Sequence, residues 1–464
     1  MSTALANMEQ QSRTARARIL SCVLAAALAF SLALAPGAAL ADVRKADVVL
    51  GQTVDARGLS IAQCPSIDAE YALVMDSEGT VYFERNATSP TQIASITKVM
   101  TAVVALDAVE RGEATLDTKV TVSERAAHVG ESSAGLAAGD EMTLETALLA
   151  LMVPSGNDAA IAIAESLSGS EQAFVARMNE KAAELGCVDT VFANPHGLDA
   201  GEFAGDQHSC AADVAKIVQY AMRDESFRAA VGGGDATVQV MRAGATADIF
   251  LESTDRFMDI YDPAIGVKTG FTELAGNSFA GAAEKDGLEV YAVVIHSSSE
   301  QQRFEDAKTL CEWVYEHRVS YQLANSPRTT TLNADGQAVE VPLVAEVAHS
   351  AWIDKTVEAT FADPAATVDI FDLNGNVSQS FEFDELSGDV KAGDKVGTAT
   401  FKQRNTVIAT MDLVACEDVD APDFFEGIGI WWDRLFRGFS GQPQTAQSTT
   451  VNETPLVVDK TAAA

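Results

Sequence analysis

Strand-like runs stand at both ends of a long helical block, and this restricts the fold of residues 66–325 more than any other feature. Glu70 to Met75 and Val81 to Glu84 are strand-like and flank Asp76-Ser77-Glu78-Gly79-Thr80, a pattern that predicts a hairpin. The same character returns far along the chain, at Ile265 to Lys268, Ser278 to Ala283 and Leu288 to His296, the last two joined at Lys285-Asp286-Gly287. Between them, Ala94 to Val109, Leu144 to Met152, Asp158 to Leu167 and Glu171 to Leu185 carry apolar residues at helical spacing. A closing helix from Glu300 to Glu316 places Phe304, Ala307, Leu310, Cys311, Val314 and Tyr315 on one side. One sheet built from distant segments around a helical insertion satisfies this order, so an α+β domain is expected.

The flanks read differently. Arg13, Arg16 and Arg18 precede an apolar stretch from Ile19 to Leu34, and Ala39-Leu40-Ala41 follows, so residues 1–41 are expected to be a secretory signal. Residues 42–65 then form a lead-in. After Asn325-Ser326-Pro327 the chain changes to short alternating runs punctuated by Asp335-Gly336, Asn374-Gly375 and Gly393-Asp394, which predicts a small all-β domain over 326–418. Within 419–440, Phe424, Phe425, Ile428, Trp431, Trp432, Leu435, Phe436 and Phe439 share one face of a helix, opposite Glu426, Asp433, Arg434 and Arg437. With four charges it is too polar to span a bilayer; it either lies on a membrane surface through residues 424–439 or packs on its own β domain. The polar stretch 441–464 is expected to be disordered.

Charge excludes some functions. The chain carries 67 acidic and 32 basic residues, a net charge of −35, and loss of the signal would make it −37. Affinity built on neutralising phosphates needs the opposite sign, so no nucleic-acid partner is expected. Beyond Cys22 in the signal, Cys64, Cys187, Cys210, Cys311 and Cys416 remain, an odd number with no metal-ligand spacing. No metal or cofactor is expected. The loop-rich stretch between Cys187 and Cys210 makes that pair the favoured disulfide.

Chemistry is concentrated in three short motifs. Ser95-Ile96-Thr97-Lys98 opens an apolar helix, and the three-residue spacing puts hydroxyl and amine on one face. A lysine deprived of water loses its proton more easily and can activate the serine. Ser155-Gly156-Asn157 lies between two helices, where a turn can aim a hydroxyl and an amide into a cleft. Lys268-Thr269-Gly270 follows a short strand, able to offer backbone N–H groups and a cation to an anionic ligand. S-x-x-K, S-x-N and K-T-G together, in that order, mark the penicillin-interacting serine enzymes.

On these residues the chain resembles the low-molecular-weight penicillin-binding proteins, the serine-type D-alanyl-D-alanine carboxypeptidases. The likeness extends to Gly130-Glu131-Ser132-Ser133, to Asp158-Ala159-Ala160 after the second motif, to Asn194-Pro195-His196-Gly197-Leu198 and to Phe271-Thr272 after the third. It implies the penicillin-binding, serine β-lactamase-like transpeptidase fold, an antiparallel sheet with a helical subdomain. It also implies peptidoglycan stem peptides ending in D-Ala-D-Ala as substrates, β-lactams as inhibitors and an exported, extracytoplasmic enzyme. By residue, it implies Ser95 as nucleophile, Lys98 as base, Ser155 and Asn157 as relay and positioning groups, and Lys268, Thr269, Gly270, Phe271 and Arg303 in substrate binding. His196 and His208 are expected to be structural. A DD-endopeptidase or a non-catalytic penicillin-binding scaffold would keep the same motifs. A class A β-lactamase would need a glutamate four residues before an asparagine between Ser155 and Lys268, and none stands there.

Overall fold

The computed structural model describes residues 44–334 and 337–457, and the chain divides into two compact units between Val314 and Tyr315. The expected signal and the Asp335-Gly336 turn lie outside the described residues. The first unit is built on a seven-stranded antiparallel sheet whose order confirms the long-range pairing. From one edge the strands are Gln52–Thr53, Val48–Val49, Val81–Arg85, Tyr71–Asp76, Leu288–Ser297, Gly276–Lys285 and Ala264–Thr272. The early hairpin meets the late one where Ile295 pairs with Tyr71 and Val290 with Asp76. The lead-in is therefore part of the sheet; its two-residue strands are too short to show a period.

The helical insertion contains Thr97–Glu110, Leu144–Met152, Asn157–Ser168, Glu171–Glu184, Ala211–Ala221 and Glu225–Gly232. Every side chain from Thr97 to Ala108 is buried. A helix apolar all round can only exist inside a core. Its one buried acid, Asp107, is paired with Lys181 at 2.6 Å and accepts a hydrogen bond from the Tyr220 hydroxyl. A hairpin at Ala236–Arg242 and Ala245–Leu251, outside the sequence expectations, forms a second sheet with Glu141–Thr143 and Lys119–Thr121.

The closing helix spans Glu300–His317 and buries Phe304, Ala307, Leu310, Cys311 and Val314, together with Trp313, which sequence spacing did not place there. The Trp313 indole N–H donates to the Gln63 carbonyl, so the lead-in is tied down by a polar contact as well as by packing.

The second unit starts earlier than position 326, because the strand Arg318–Gln322 pairs with Thr367–Phe371. Its main sheet has six strands in the order Val377–Phe383, Lys395–Gln403, Thr406–Ala415, Thr356–Phe361, Ala345–Ala348 and Thr449–Thr450. Phe361 and Phe401 meet edge to face in its core. The last strand corrects the expectation of disorder for residues 441–457, the described part of the tail. Asn452 is buried, its amide donating to the Leu323 carbonyl and to Gln379 while its oxygen accepts from the Asn325 N–H. Polar composition predicted disorder; one residue that satisfies two backbone groups and a side-chain amide overrides it.

The favoured disulfide is also corrected. Cys187 and Cys210 are free and buried, and the Cys187 thiol donates instead to the Asp213 carbonyl. Burial pushes both thiols up, to about 12 and about 11.

Candidate active site

Ser95 lies in a turn of 3-10 helix, Ala94–Ile96, immediately before the buried helix Thr97–Glu110. Ala94 is held at φ +46°, a conformation L-residues avoid. The loop at Asn194–Leu198 presses against it: a Cβ on Gly197 would lie 1.9 Å from the Ala94 carbonyl oxygen, so only glycine fits. That approach delivers the His196 carbonyl to Lys98, whose Nζ donates to it at 3.0 Å and lies 2.8 Å from Ser95 Oγ. Lys98 is completely buried. Burial pushes its pKa well down and the neighbouring Lys268 charge pushes the same way, against the pull of Asp158. An amine deprived of its charge beside a hydroxyl is a base in place. His196 is buried and held neutral, its pKa pushed to about 3 by burial and by the Lys98 and Arg125 charges.

Ser155 sits at φ +63° and Asn157 begins the helix Asn157–Ser168. Both are buried, yet Ser155 Oγ and Asn157 Oδ1 have no hydrogen-bond partner among the described residues. Buried polar atoms are nearly always satisfied, so two such atoms facing one cleft await a ligand or solvent. The Asn157 amide donates to the Gly130 carbonyl. Asp158 accepts from the Ser133 hydroxyl and from the N–H groups of Ala134 and Leu136, which fixes the opposite wall of the cleft.

The third motif runs along Ala264–Thr272, the edge strand of the large sheet. An edge strand has one row of backbone groups free to pair with an extended peptide. A Cβ on Gly270 would come 2.7 Å from the Ile93 carbonyl oxygen, so this glycine lets the strand approach the nucleophile turn. Phe271 is 56% exposed at the mouth. Lys268 is buried, with Nζ donating to the Thr269 carbonyl at 3.2 Å; burial lowers its pKa to about 7. Arg303, on the closing helix, is also buried; it pairs with Glu300 at 3.1 Å and leaves Nε without a partner among the described residues.

Ser95, Ser155, Asn157, Thr269, Gly270, Phe271 and Arg303 line one cleft of about 760 Å³. Lys98 and Lys268 are not on its wall but immediately behind it. All nine sequence-derived residues thus converge. Sequence reasoning missed Asp158 and the Gly197 contact as supports, although both stand inside quoted motifs. It also missed Asp255, a buried acid in a loop with no motif around it.

The comparisons agree with this geometry. Residues 59–299 match the family described as D-alanyl-D-alanine carboxypeptidase, Peptidase_S11. The chain is 29% identical to D-alanyl-D-alanine carboxypeptidase DacC of Escherichia coli over 427 residues, 90% of this chain and 95% of the relative. It is also 29% identical to DacF of Bacillus subtilis over 364 residues, 77% of this chain and 87% of the relative. Among solved structures, the carboxypeptidase DacD of Francisella tularensis superposes with a TM-score of 0.53 at 25% identity, covering 77% of this chain and 96% of that one. The Streptomyces K15 DD-transpeptidase matches with a TM-score of 0.51 at 29% identity, covering 54% of this chain and 98% of the other. With the family matched over more than half its length, the chain belongs to the D-alanyl-D-alanine carboxypeptidases.

Proposed function

We propose that the chain is an exported serine DD-carboxypeptidase that removes the terminal D-alanine from peptidoglycan stem peptides. The 2.8 Å contact between Ser95 Oγ and a fully buried Lys98 amine carries this reading. Neutral Lys98 takes the hydroxyl proton as Ser95 Oγ bonds to the penultimate D-Ala carbonyl carbon. The N–H groups of Ser95 and Phe271 receive the oxyanion. The peptide bond then breaks, the proton passes through Ser155 to the departing D-Ala amine, and water hydrolyses the acyl-enzyme. Asn157 orients the substrate amide, Thr269 and Arg303 hold its terminal carboxylate, and Lys268 supports that charge from behind the wall. β-Lactams enter as inhibitors by acylating the same serine. Incubation with a pentapeptide ending in D-Ala-D-Ala should release D-alanine from the wild type and none from Ser95→Ala. Equal release, or none from either, overturns the reading.

We further infer that the C-terminal helix Phe424–Ser440 rests on a membrane surface. No helix among the described residues is long and apolar enough to cross a membrane. No side chain of this helix is buried, and Phe424, Phe425, Trp431, Phe436 and Phe439 are more than half exposed. Its polar side is fastened to the β unit: Arg434 donates to the Ser350 and Trp352 carbonyls. Two tryptophans on a broad apolar face suit a lipid interface. Liposome flotation should lose the protein when Trp431 and Trp432 are replaced by serine, and unchanged flotation would contradict this contact.

A further inference from the structure

Asp255 is an unused ionisable group in the first unit. It lies in the loop Glu252–Arg256, which leads into the short helix Phe257–Ile260. This loop runs beside the third motif, where the Thr254 and Thr269 hydroxyls are 2.9 Å apart. The Thr254 N–H donates to the Val153 carbonyl, so the same loop also touches the approach to Ser155. Asp255 itself is buried; Oδ1 accepts from the Phe257 N–H at 2.8 Å, and Oδ2 has no hydrogen-bond partner among the described residues.

A buried carboxylate with one oxygen unsatisfied is costly unless positive charge stands close by. Two buried cations compensate it through space, without a salt bridge to it among the described residues. Asp255 acts electrostatically on Lys268 from the edge strand and on Arg303 from the closing helix, and both of these cations are themselves buried and incompletely bonded. Among the described residues, Lys268 has only a 3.2 Å and a 3.4 Å contact, both to Thr269, and no salt bridge. Arg303 has its Glu300 partner on the cleft side. Asp255, one residue from Thr254 where the loop meets the strand of Lys268, is therefore the buried acid that balances this cation.

We propose that Asp255 is a positioning residue of this active site: its buried carboxylate keeps Lys268 in the ammonium form that a carboxylate-ended substrate requires. This rests on the carboxypeptidase reading and adds to it a residue outside the three motifs. The groups facing the pair are Asp259 on the same segment as Asp255, Arg303 on the closing helix and, beyond Lys268, Lys98 at the start of the buried helix with Asp158 opposite. Burial raises the Asp255 carboxyl to about 6 and lowers Lys268 to about 7, so the charged pair exists in a narrow window. Below that window Asp255 gains a proton, and above it Lys268 loses one.

The test is Asp255→Asn, which keeps an oxygen to accept from the Phe257 N–H and removes only the charge. The expected result is a rise in KM for a D-Ala-D-Ala peptide at pH 8, with kcat changed less. The alkaline limb of kcat/KM should move down by about one pH unit, equal to about tenfold at a fixed alkaline pH. Because Lys268→Met removes the group that Asp255 supports, the Asp255→Asn effect should vanish in that background. Superimposable pH limbs, or an equal Asp255→Asn effect with and without Lys268, would overturn the proposal in favour of a purely structural loop acid. Burst acylation by penicillin in the wild type, measured alongside, separates this outcome from failure of the carboxypeptidase reading, in which no variant is acylated. Should Asp255→Asn misfold, Asp255→Glu provides the second measurement: the retained charge should preserve the wild-type limb, and a limb moved as far as in a charge loss would overturn the proposal.

Discussion

Two apolar helices of similar length meet opposite fates in this molecule. Thr97–Glu110 buries every side chain from Thr97 to Ala108, whereas Phe424–Ser440 buries none. The first has small and branched residues on all sides and no hydrated face, so only a protein interior can accept it. The second segregates its aromatic residues from Asp433, Arg434 and Arg437, and its ends are closed by an Asp423–Glu426 capping box and by Gly441 at φ +67°. Apolar content alone does not distinguish the two; its distribution around the axis does. The buried helix also explains where chemistry can occur, since burial in that core pushes the Lys98 pKa well down. The exposed helix presents apolar area without chemistry.

The sharpest way to break this contrast is at the start of the buried helix. Lys98→Met keeps the side chain's bulk and removes the base, and is expected to slow penicillin acylation by about 10²–10⁴-fold with the fold retained. An unchanged acylation rate would remove Lys98 from the mechanism. Next in size, Leu106→Ala should cost about 2–5 kcal/mol in denaturant unfolding, while Trp431→Ala should stay within about 0.5 kcal/mol. Equal costs would mean that the terminal helix is packed after all. A smaller effect, about 1–3 kcal/mol in the second unit, is expected for Asn452→Ala, with D-alanine release unaltered. No loss of stability would return the tail to the disordered state that composition suggests.

The effect that is smallest at neutral pH and grows only in acid concerns titration. Folding lowers the His196 pKa from the usual 6.5 to about 3, so the unfolded chain binds more protons between those values. Its contribution is intact above pH 6.5 and is lost as pH falls, by up to about 1.4 kcal/mol per unit. A His196→Gln variant should show a shallower acid decline in stability, and parallel curves would mean that His196 titrates normally.

Much of this was legible in the sequence for one reason: motif chemistry is local. Ser95 and Lys98 share a helix face by spacing alone, and Ser155 and Asn157 flank one turn. The sheet from distant strands was legible because its long members keep a period. What escaped was decided by tertiary contacts. Val48–Val49 and Thr449–Thr450 are too short to show a period, and the tail's order hangs on the bonds of Asn452. The separation of Cys187 from Cys210 along the chain said nothing about where their thiols point. Lys268 was expected in the cleft and lies behind it, and Asp255 acquires meaning only from cations brought to it by another strand and another helix.

The central claim is that Ser95 is the nucleophile, and mass spectrometry after penicillin labelling tests it most directly. The expected result is one covalent adduct, on the peptide containing Ser95, absent from Ser95→Ala. An adduct on any other residue, or none on the folded wild-type protein, would contradict it.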